Sequence, residues 1–183
     1  MRSIGFVLQA LCLLPVISNT ATAQNTSTPG PVPVSLHGPV PTAISAARSI
    51  FVSNAGADSG LFPKPFSGDT DRAYSQFFAA LKESGQFQLV SDPSDADLVL
   101  ELQLLAPTGP KDPDKQKGAS EPVPEFRLTV YDRKSHYILW TLTQSIRVAL
   151  LQRTHDRNFD DALSALLRDF LELSGRKLPG SAH

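Results

Sequence analysis

Between Leu98 and Val148 three apolar runs follow one another, each with a period of two. Leu98, Leu100, Leu102 and Leu104 fall on one side of an extended chain, and Glu101 and Gln103 on the other. Phe126, Leu128 and Val130 oppose Arg127, Thr129 and Tyr131 in the same way. Ile138, Trp140, Leu142, Ile146 and Val148 oppose Thr141, Thr143, Ser145 and Arg147. A period of two suits a strand that buries one face and leaves the other at least partly wet. Gln144 interrupts the third apolar set, which points to a bulge or to a position beyond the edge of the core. Asp132–His136 has the chemistry of a hairpin turn between the last two strands. The segment Ala106–Pro124 between the first two is too rich in Pro, Lys and Asp to pack. Its composition reads as disorder, and its length also fits a functional loop.

The rest of the chain supplies cover for that sheet. Arg48–Asn54 reads as a first strand, stopped by Asn54-Ala-Gly56. The glycines of the following connection (Gly56, Gly60 and Gly68) fit neither a dinucleotide nor a P-loop spacing, which argues against a nucleotide site. Asp69–Ser84 predicts a helix with Tyr74, Phe77, Phe78 and Leu81 on one face and Gly85 at its end. Phe87–Ser91 reads as a short second strand. Asp92, Asp95 and Asp97 lack the ligand pattern of a calcium loop and are explained by turns and caps. Leu150–Arg157 reads as a connection, with Asn158 capping a last helix that carries Phe159, Leu163, Leu166, Leu167 and Phe170 and ends at Gly175. The order β-α-β-β-β-β-α predicts an α/β fold, specifically an α+β two-layer sandwich. Its five-stranded mixed sheet carries two helices on one face.

Before this domain, residues 1–23 read as a signal peptide. Arg2 precedes an apolar run from Ile4 to Ile17, and Ala21 and Ala23 form a small-residue cleavage site. The run is short of the ~20 residues that a membrane span needs. Cys12, the only cysteine, lies inside that run behind Leu11, where a lipid-attachment site requires a small residue. No lipid anchor and no integral span after cleavage are therefore expected. Without another cysteine, disulfides, zinc thiolates and a cysteine nucleophile are excluded downstream. Residues 24–44 form a Pro-rich linker, with prolines at 29, 31, 33, 39 and 41 enforcing extended backbone. Asn25-Thr26-Ser27 is a glycosylation sequon, with meaning only in a eukaryotic secretory pathway. Residues 45–175 are the single domain and 176–183 a flexible tail. The formal net charge of −1 provides no global field for nucleic acid or anionic lipid.

Three segments carry a family resemblance. Ala96-Asp97-Leu98-Val99-Leu100, then Val130-Tyr131-Asp132, then Ile138-Leu139-Trp140-Thr141 resemble bacterial envelope α/β domains. These are of the TolB amino-terminal and curli-secretion lipoprotein (CsgG)-like type, with related small secreted proteins of unknown function. The resemblance covers about Ile50 to Leu173. It implies that Asp97 begins a strand, Asp132 turns a hairpin and Trp140 anchors the core. His136-Tyr137 stands where the family pattern has a turn glycine, and the lipid-attachment cysteine of many relatives is missing.

Downstream of the leader the histidines are His37, His136, His155 and His183, and none belongs to a hydrolase motif. No enzyme activity, cofactor or metal is expected. The chain reads as a non-catalytic, secreted or periplasmic binding or assembly module of the cell envelope, with an envelope protein as partner. The candidate partner face is Arg127, Tyr131, Thr141, Thr143 and Arg147, or else the sheet edge by strand addition. The alternative is a small periplasmic hydrolase or anion-binding protein using Arg153, His155 and Arg157 before the last helix. Asp156, Asp160 and Asp161 compete for those charges, and salt bridges at a helix start explain the cluster more simply. Protein recovered after export is expected to begin at Gln24 or its pyroglutamate form. A mature chain starting at an acylated Cys12, read by mass spectrometry, would refute this.

Overall fold

A computed structural model describes residues 38–107 and 123–176. The expected signal peptide, most of the expected linker, residues 108–122 of the long loop and the tail from 177 lie outside the described residues. The elements are α1 (Thr42–Ala46), β1 (Ser49–Ala57), α2 (Arg72–Ser84), β2 (Gln88–Leu89), β3 (Leu98–Leu105), β4 (Glu125–Asp132), β5 (Ile138–Ser145) and α3 (Gln152–Leu173). Single turns of 3-10 helix lie at Ser59–Leu61 and Pro93–Asp95. The five strands form one sheet in the order β2-β1-β3-β4-β5. β1 is parallel to β2 and β3, whereas β3, β4 and β5 run antiparallel in turn, so the sheet is mixed.

The alternation in β3 becomes a strict burial pattern. Leu98, Leu100, Leu102 and Leu104 are buried and the residues between them half-buried. Their register partners Ile50 and Val52 on β1, and Phe126, Leu128 and Val130 on β4, are buried with them. Phe77 and Leu81 of α2, and Phe159, Leu163, Leu166, Leu167 and Phe170 of α3, close over that side in one core. Each buried side chain of this size contributes about 1.5–3 kcal/mol relative to exposure. Gly85 ends α2 in the left-handed conformation expected of it, φ 63°, with its N–H bonded to Lys82 O.

Two aspartates, Asp97 and Asp132, have defined mechanical work. The Asp97 carboxylate accepts the Arg48 N–H at 2.8 Å and the Ser49 N–H at 3.0 Å, which ties the start of β3 to the start of β1. These two bonds, the Arg48 one first, hold its pKa below the ordinary carboxylate value. Asp132 accepts the Ser135 hydroxyl at 2.5 Å and the Ser135 N–H at 2.7 Å inside the β4–β5 turn. The turn closes with the His136 N–H on Asp132 O at 2.8 Å, and His136 sits at φ 60°, the conformation a glycine adopts freely.

Four local expectations are corrected. A short helix, α1, occupies the end of the expected linker, with Ile44 fully buried. The last helix begins at Gln152 rather than after Asn158, because the buried His155 extends the inward stripe by one helical turn ahead of Phe159. Asn158 lies within the helix and donates to Arg147 O at 2.7 Å. The register break in the last hairpin falls at Val130/Tyr131 and not at Gln144, which pairs with Phe126. Past that break Ile138 pairs with Tyr131 and is 60% exposed, while Trp140 pairs with Val130 and packs half-buried against the core. Trp140 thus lies on the helix side, but on β5, which no further strand flanks among the described residues.

The turn yields a test. His136→Gly removes the cost of a non-glycine residue at positive φ, partly offset by added freedom of the unfolded chain. The expected net change is a stabilisation of about 0.5–1 kcal/mol, read as a shift in the urea midpoint at constant slope.

Candidate functional site

The helices cover one face of the sheet, and the register builds cross-strand rows on the other. Ser53, Glu101, Thr129 and Thr141 form one row; Gln103, Arg127 and Thr143 form the next; Leu105, Glu125 and Ser145 a third. Val99 pairs with Tyr131 at the turn end. Arg127, Tyr131, Thr141 and Thr143 are therefore brought together on this open face. Thr141, Thr143 and Ser145 are exposed on the edge strand, and Thr129 is buried between its neighbours.

The longer side chains are held in pairs. The Tyr131 hydroxyl donates to Glu101 Oε1 at 3.3 Å, and Arg127 Nη2 lies 3.0 Å from Glu125 Oε1. Partial burial, and then the Glu101 charge, raise the Tyr131 phenol above its ordinary pKa, so it stays a donor throughout the physiological range. Glu101 and Glu125 were not singled out from sequence. Their signal was present in the strand pattern, since each faces the polar side next to a residue that was. Val99, Glu101, Tyr131, Asp132, Arg133 and His136 enclose a shallow depression of about 330 Å³ at the turn end of the face.

Arg147 does not join that face. The strand ends at Ser145, Ile146 turns into the core, and Arg147 falls beside α3. There it shares a polar cleft of about 430 Å³ with Gln144, Ser145, Arg157, Asn158 and Asp161. Strand alternation holds only while the chain remains extended, and Arg147 lies past that limit.

The expected cluster of Arg153, His155 and Arg157 is also split. Residues 153 and 157 lie one turn apart on α3, whereas 155 is on the opposite side of the helix. His155 is 7% exposed, its Nδ1 accepts the Ala149 N–H at 3.3 Å, and its ring meets Phe66 edge-on at 6.2 Å. It is a core histidine that holds the β5–α3 connection, not an anion ligand or base presented to solvent. Arg157 faces Arg147 instead, with Asp161 beside it.

The strongest polar network links α2, α3 and the loop between β1 and α2. Arg72 donates to Asp156 at 2.7 Å, Asp160 at 2.8 Å and Ser67 O at 2.9 Å, and its guanidinium stacks 4.3 Å above the Phe159 ring. The Ser67 N–H bonds Asp156 at 2.9 Å, and Gln152 Nε2 bonds Pro65 O at 2.6 Å. Burial alone would raise the Asp156 carboxyl; the bonds from Ser67 and Arg72 outweigh it and bring the pKa down to about 2. Among the described residues no group of three His, Cys, Asp or Glu is placed to hold a metal, and no helix is long and apolar enough to cross a membrane.

No protein-family profile and no curated protein matches the chain. Solved structures align with it at low similarity. A DUF4136 family protein from Bacteroides thetaiotaomicron aligns over 73% of this chain and 92% of its own, at 10% identity and a TM-score of 0.48. A PelC dodecamer from Paraburkholderia phytofirmans aligns over 76% and 94%, at 16% identity and a TM-score of 0.41. TolB from Acinetobacter baumannii aligns over 70% of this chain and 26% of its own, at 14% identity and a TM-score of 0.30. At these values the likeness carries nothing about partner or activity.

The Arg72 network sets a pH signature. Asp156 is depressed from 3.8 to about 2, so its contribution is complete above pH 4 and disappears as pH falls through 2. With its side chain 23% exposed, solvent screening limits that contribution to about 1–2 kcal/mol. Asp156→Asn should lower stability at pH 7 and flatten the loss between pH 4 and pH 2, measured by urea unfolding. A parallel downward shift of the whole curve would assign the acid sensitivity to other carboxylates.

Proposed function

We propose that this protein is a non-catalytic binding or assembly module that works outside the cytoplasm, in the periplasm or after secretion. Its partner is an envelope protein that docks on the open face of the sheet. The observation that carries this reading is the asymmetry of the sheet. One face lies under α2 and α3, while Arg127, Tyr131, Thr141 and Thr143 stand on the other, beside the unpaired edge of β5. Tyrosine and arginine anchor interfaces, and an edge strand adds backbone donors and acceptors with a fixed direction. The competing reading, a hydrolase or anion binder built on Arg153, His155 and Arg157, loses support because His155 points into the core.

The face can be tested in cells. A photo-crosslinking residue at Thr143 should yield a discrete adduct with an envelope protein. The same residue at Glu83, exposed on the outer side of α2, should not. Arg127→Ala with Tyr131→Ala should remove the adduct while leaving the unfolding midpoint within about 0.5 kcal/mol per site. Adducts from Glu83 and none from Thr143 would move the partner to the helical side.

A further inference from the structure

The connection from β5 to α3 exposes more aliphatic surface than any other described part of the molecule. Val148 is 57% exposed, Leu150 101% and Leu151 69%. These three residues contribute little to the core, yet the backbone that carries them is firmly held. Ile146 is buried at one side of the connection. Arg147 O accepts from Asn158, the Ala149 N–H donates to His155, and Leu151 O accepts the Thr154 and His155 N–H groups of α3. A connection fixed from behind with leucines projecting forward is a presented surface, not a frayed one. Val148 also borders an apolar cleft of about 430 Å³ walled by Leu61, Pro65, Ala106 and Pro124. Exposed aliphatic side chains grouped this closely along one held connection suit an interaction site.

Its flanks are cationic. Arg147 and Arg153 bracket the sequence Val148-Ala-Leu-Leu-Gln152, and neither has a carboxylate within ion-pair distance among the described residues. Lys64 is exposed next to Pro65, whose carbonyl is bonded by Gln152 at 2.6 Å. Of the nearby carboxylates, Asp156 is paired with Arg72 at 2.7 Å, Asp58 accepts the Ala106 N–H at 2.7 Å and keeps its charge, and Asp161 lies in the cleft beside Arg147 and Arg157, so the cations Lys64, Arg147, Arg153 and Arg157 stay in excess. The chain as a whole carries a net charge of only −1, so this is a local field and not a global one.

We infer that the β5–α3 connection is a membrane-surface contact, in which Leu150 and Leu151 enter the interfacial layer of an anionic bilayer while Arg147 and Arg153 meet its headgroups. Two features favour lipid over a second copy of the chain. Leu150 is wholly exposed on a projecting connection, which a fluid interface accommodates and a protein could cover only with a matching pocket. The flanking cations outnumber the carboxylates near them, so two copies meeting tip to tip would bring arginines together. Apolar insertion combined with basic flanks is the usual chemistry of peripheral attachment. It adds to, and does not depend on, the partner face proposed for the open sheet.

The test uses the chain recovered after export and sedimented with vesicles. Phosphatidylcholine mixed with phosphatidylglycerol is compared with phosphatidylcholine alone. The mixed vesicles should carry the protein down, and added salt should release it. Leu150→Glu with Leu151→Glu should weaken the association by roughly tenfold per leucine. Arg147→Ala with Arg153→Ala should weaken it by roughly fivefold per arginine and reduce its salt dependence. Circular dichroism should show both variants folded, since none of these side chains is buried. Equal sedimentation of the leucine variant, or no preference for the anionic vesicles, overturns the inference. So does self-association that the leucine change abolishes, because the tip would then bind a second copy.

Discussion

The register of β3 against β1 is the constraint on which the remaining structure depends. β3 is the middle strand of five, and its four leucines form the floor of the core. A shift of one residue would turn all four to the open face and bring Val99, Glu101 and Gln103 under the helices. Aspartates guard both ends of this parallel pair. At the start, Asp97 accepts the Arg48 and Ser49 N–H groups. At the finish, the Asp58 N–H donates to Leu104 O at 3.0 Å and the Asp58 carboxylate accepts the Ala106 N–H at 2.7 Å. Parallel pairing is not set by a hairpin, because its strands are far apart in sequence, so side-chain clasps of this kind carry the specification. The alternation and the clasps select the same register, which is the consistency that makes a sequence specify one structure.

The parts legible from sequence were those governed by a sustained period. The ends of β3 are legible because a leucine recurs at every second position from 98 to 104 and the Pro-rich segment follows directly after Leu105. The faces of α2 and α3 followed from aromatic and leucine spacing for the same reason. What escaped were features decided by contacts between distant segments. His155 counts as polar in any pattern, so the inward stripe seemed to begin at Phe159 and Asn158 seemed to be a cap. Burial of the imidazole among Phe66 and the Ala149 N–H reverses that choice. α1 is a single turn of five residues, too short for a periodic signal. Arg72 joins residues 84 and 88 positions away, a relation no local pattern contains.

The same distinction explains which site residues assembled. Arg127, Tyr131, Thr141 and Thr143 lie within regular strands, where parity alone places them on one face. Arg147 lies two residues beyond β5, and Arg153, His155 and Arg157 lie on a helix that was read as a loop. Strand parity ends before the first, and the helix that phases the others is marked by a buried histidine rather than an apolar residue. The open face also has an energetic character that parity does not convey. Its arginine and tyrosine already have carboxylate partners, so a docking protein would have to replace those bonds or cover them intact. Desolvating such pairs often only breaks even. Net affinity then comes from the Tyr131 ring and the Arg127 stem, with Val99, Leu105 and the backbone groups along β5.

The inferred membrane contact and the proposed partner face have a definite relation within the fold. β5 ends at Ser145, shortly before the exposed leucines; β3 ends at Leu105, beside the Ala106 wall of the apolar cleft; β4 begins just after the Pro124 wall. The leucine-bearing connection thus belongs to one end of the sheet, and the hairpin turn at Asp132–His136 belongs to the other. With the leucines in a lipid interface, the strands would stand end-on to the bilayer and the open face would look along its surface. The β5 edge would be presented in the same orientation, free for a partner held on that membrane. Attachment of this kind restricts the search for such a partner to two dimensions and raises its effective concentration, so a face of modest intrinsic affinity suffices.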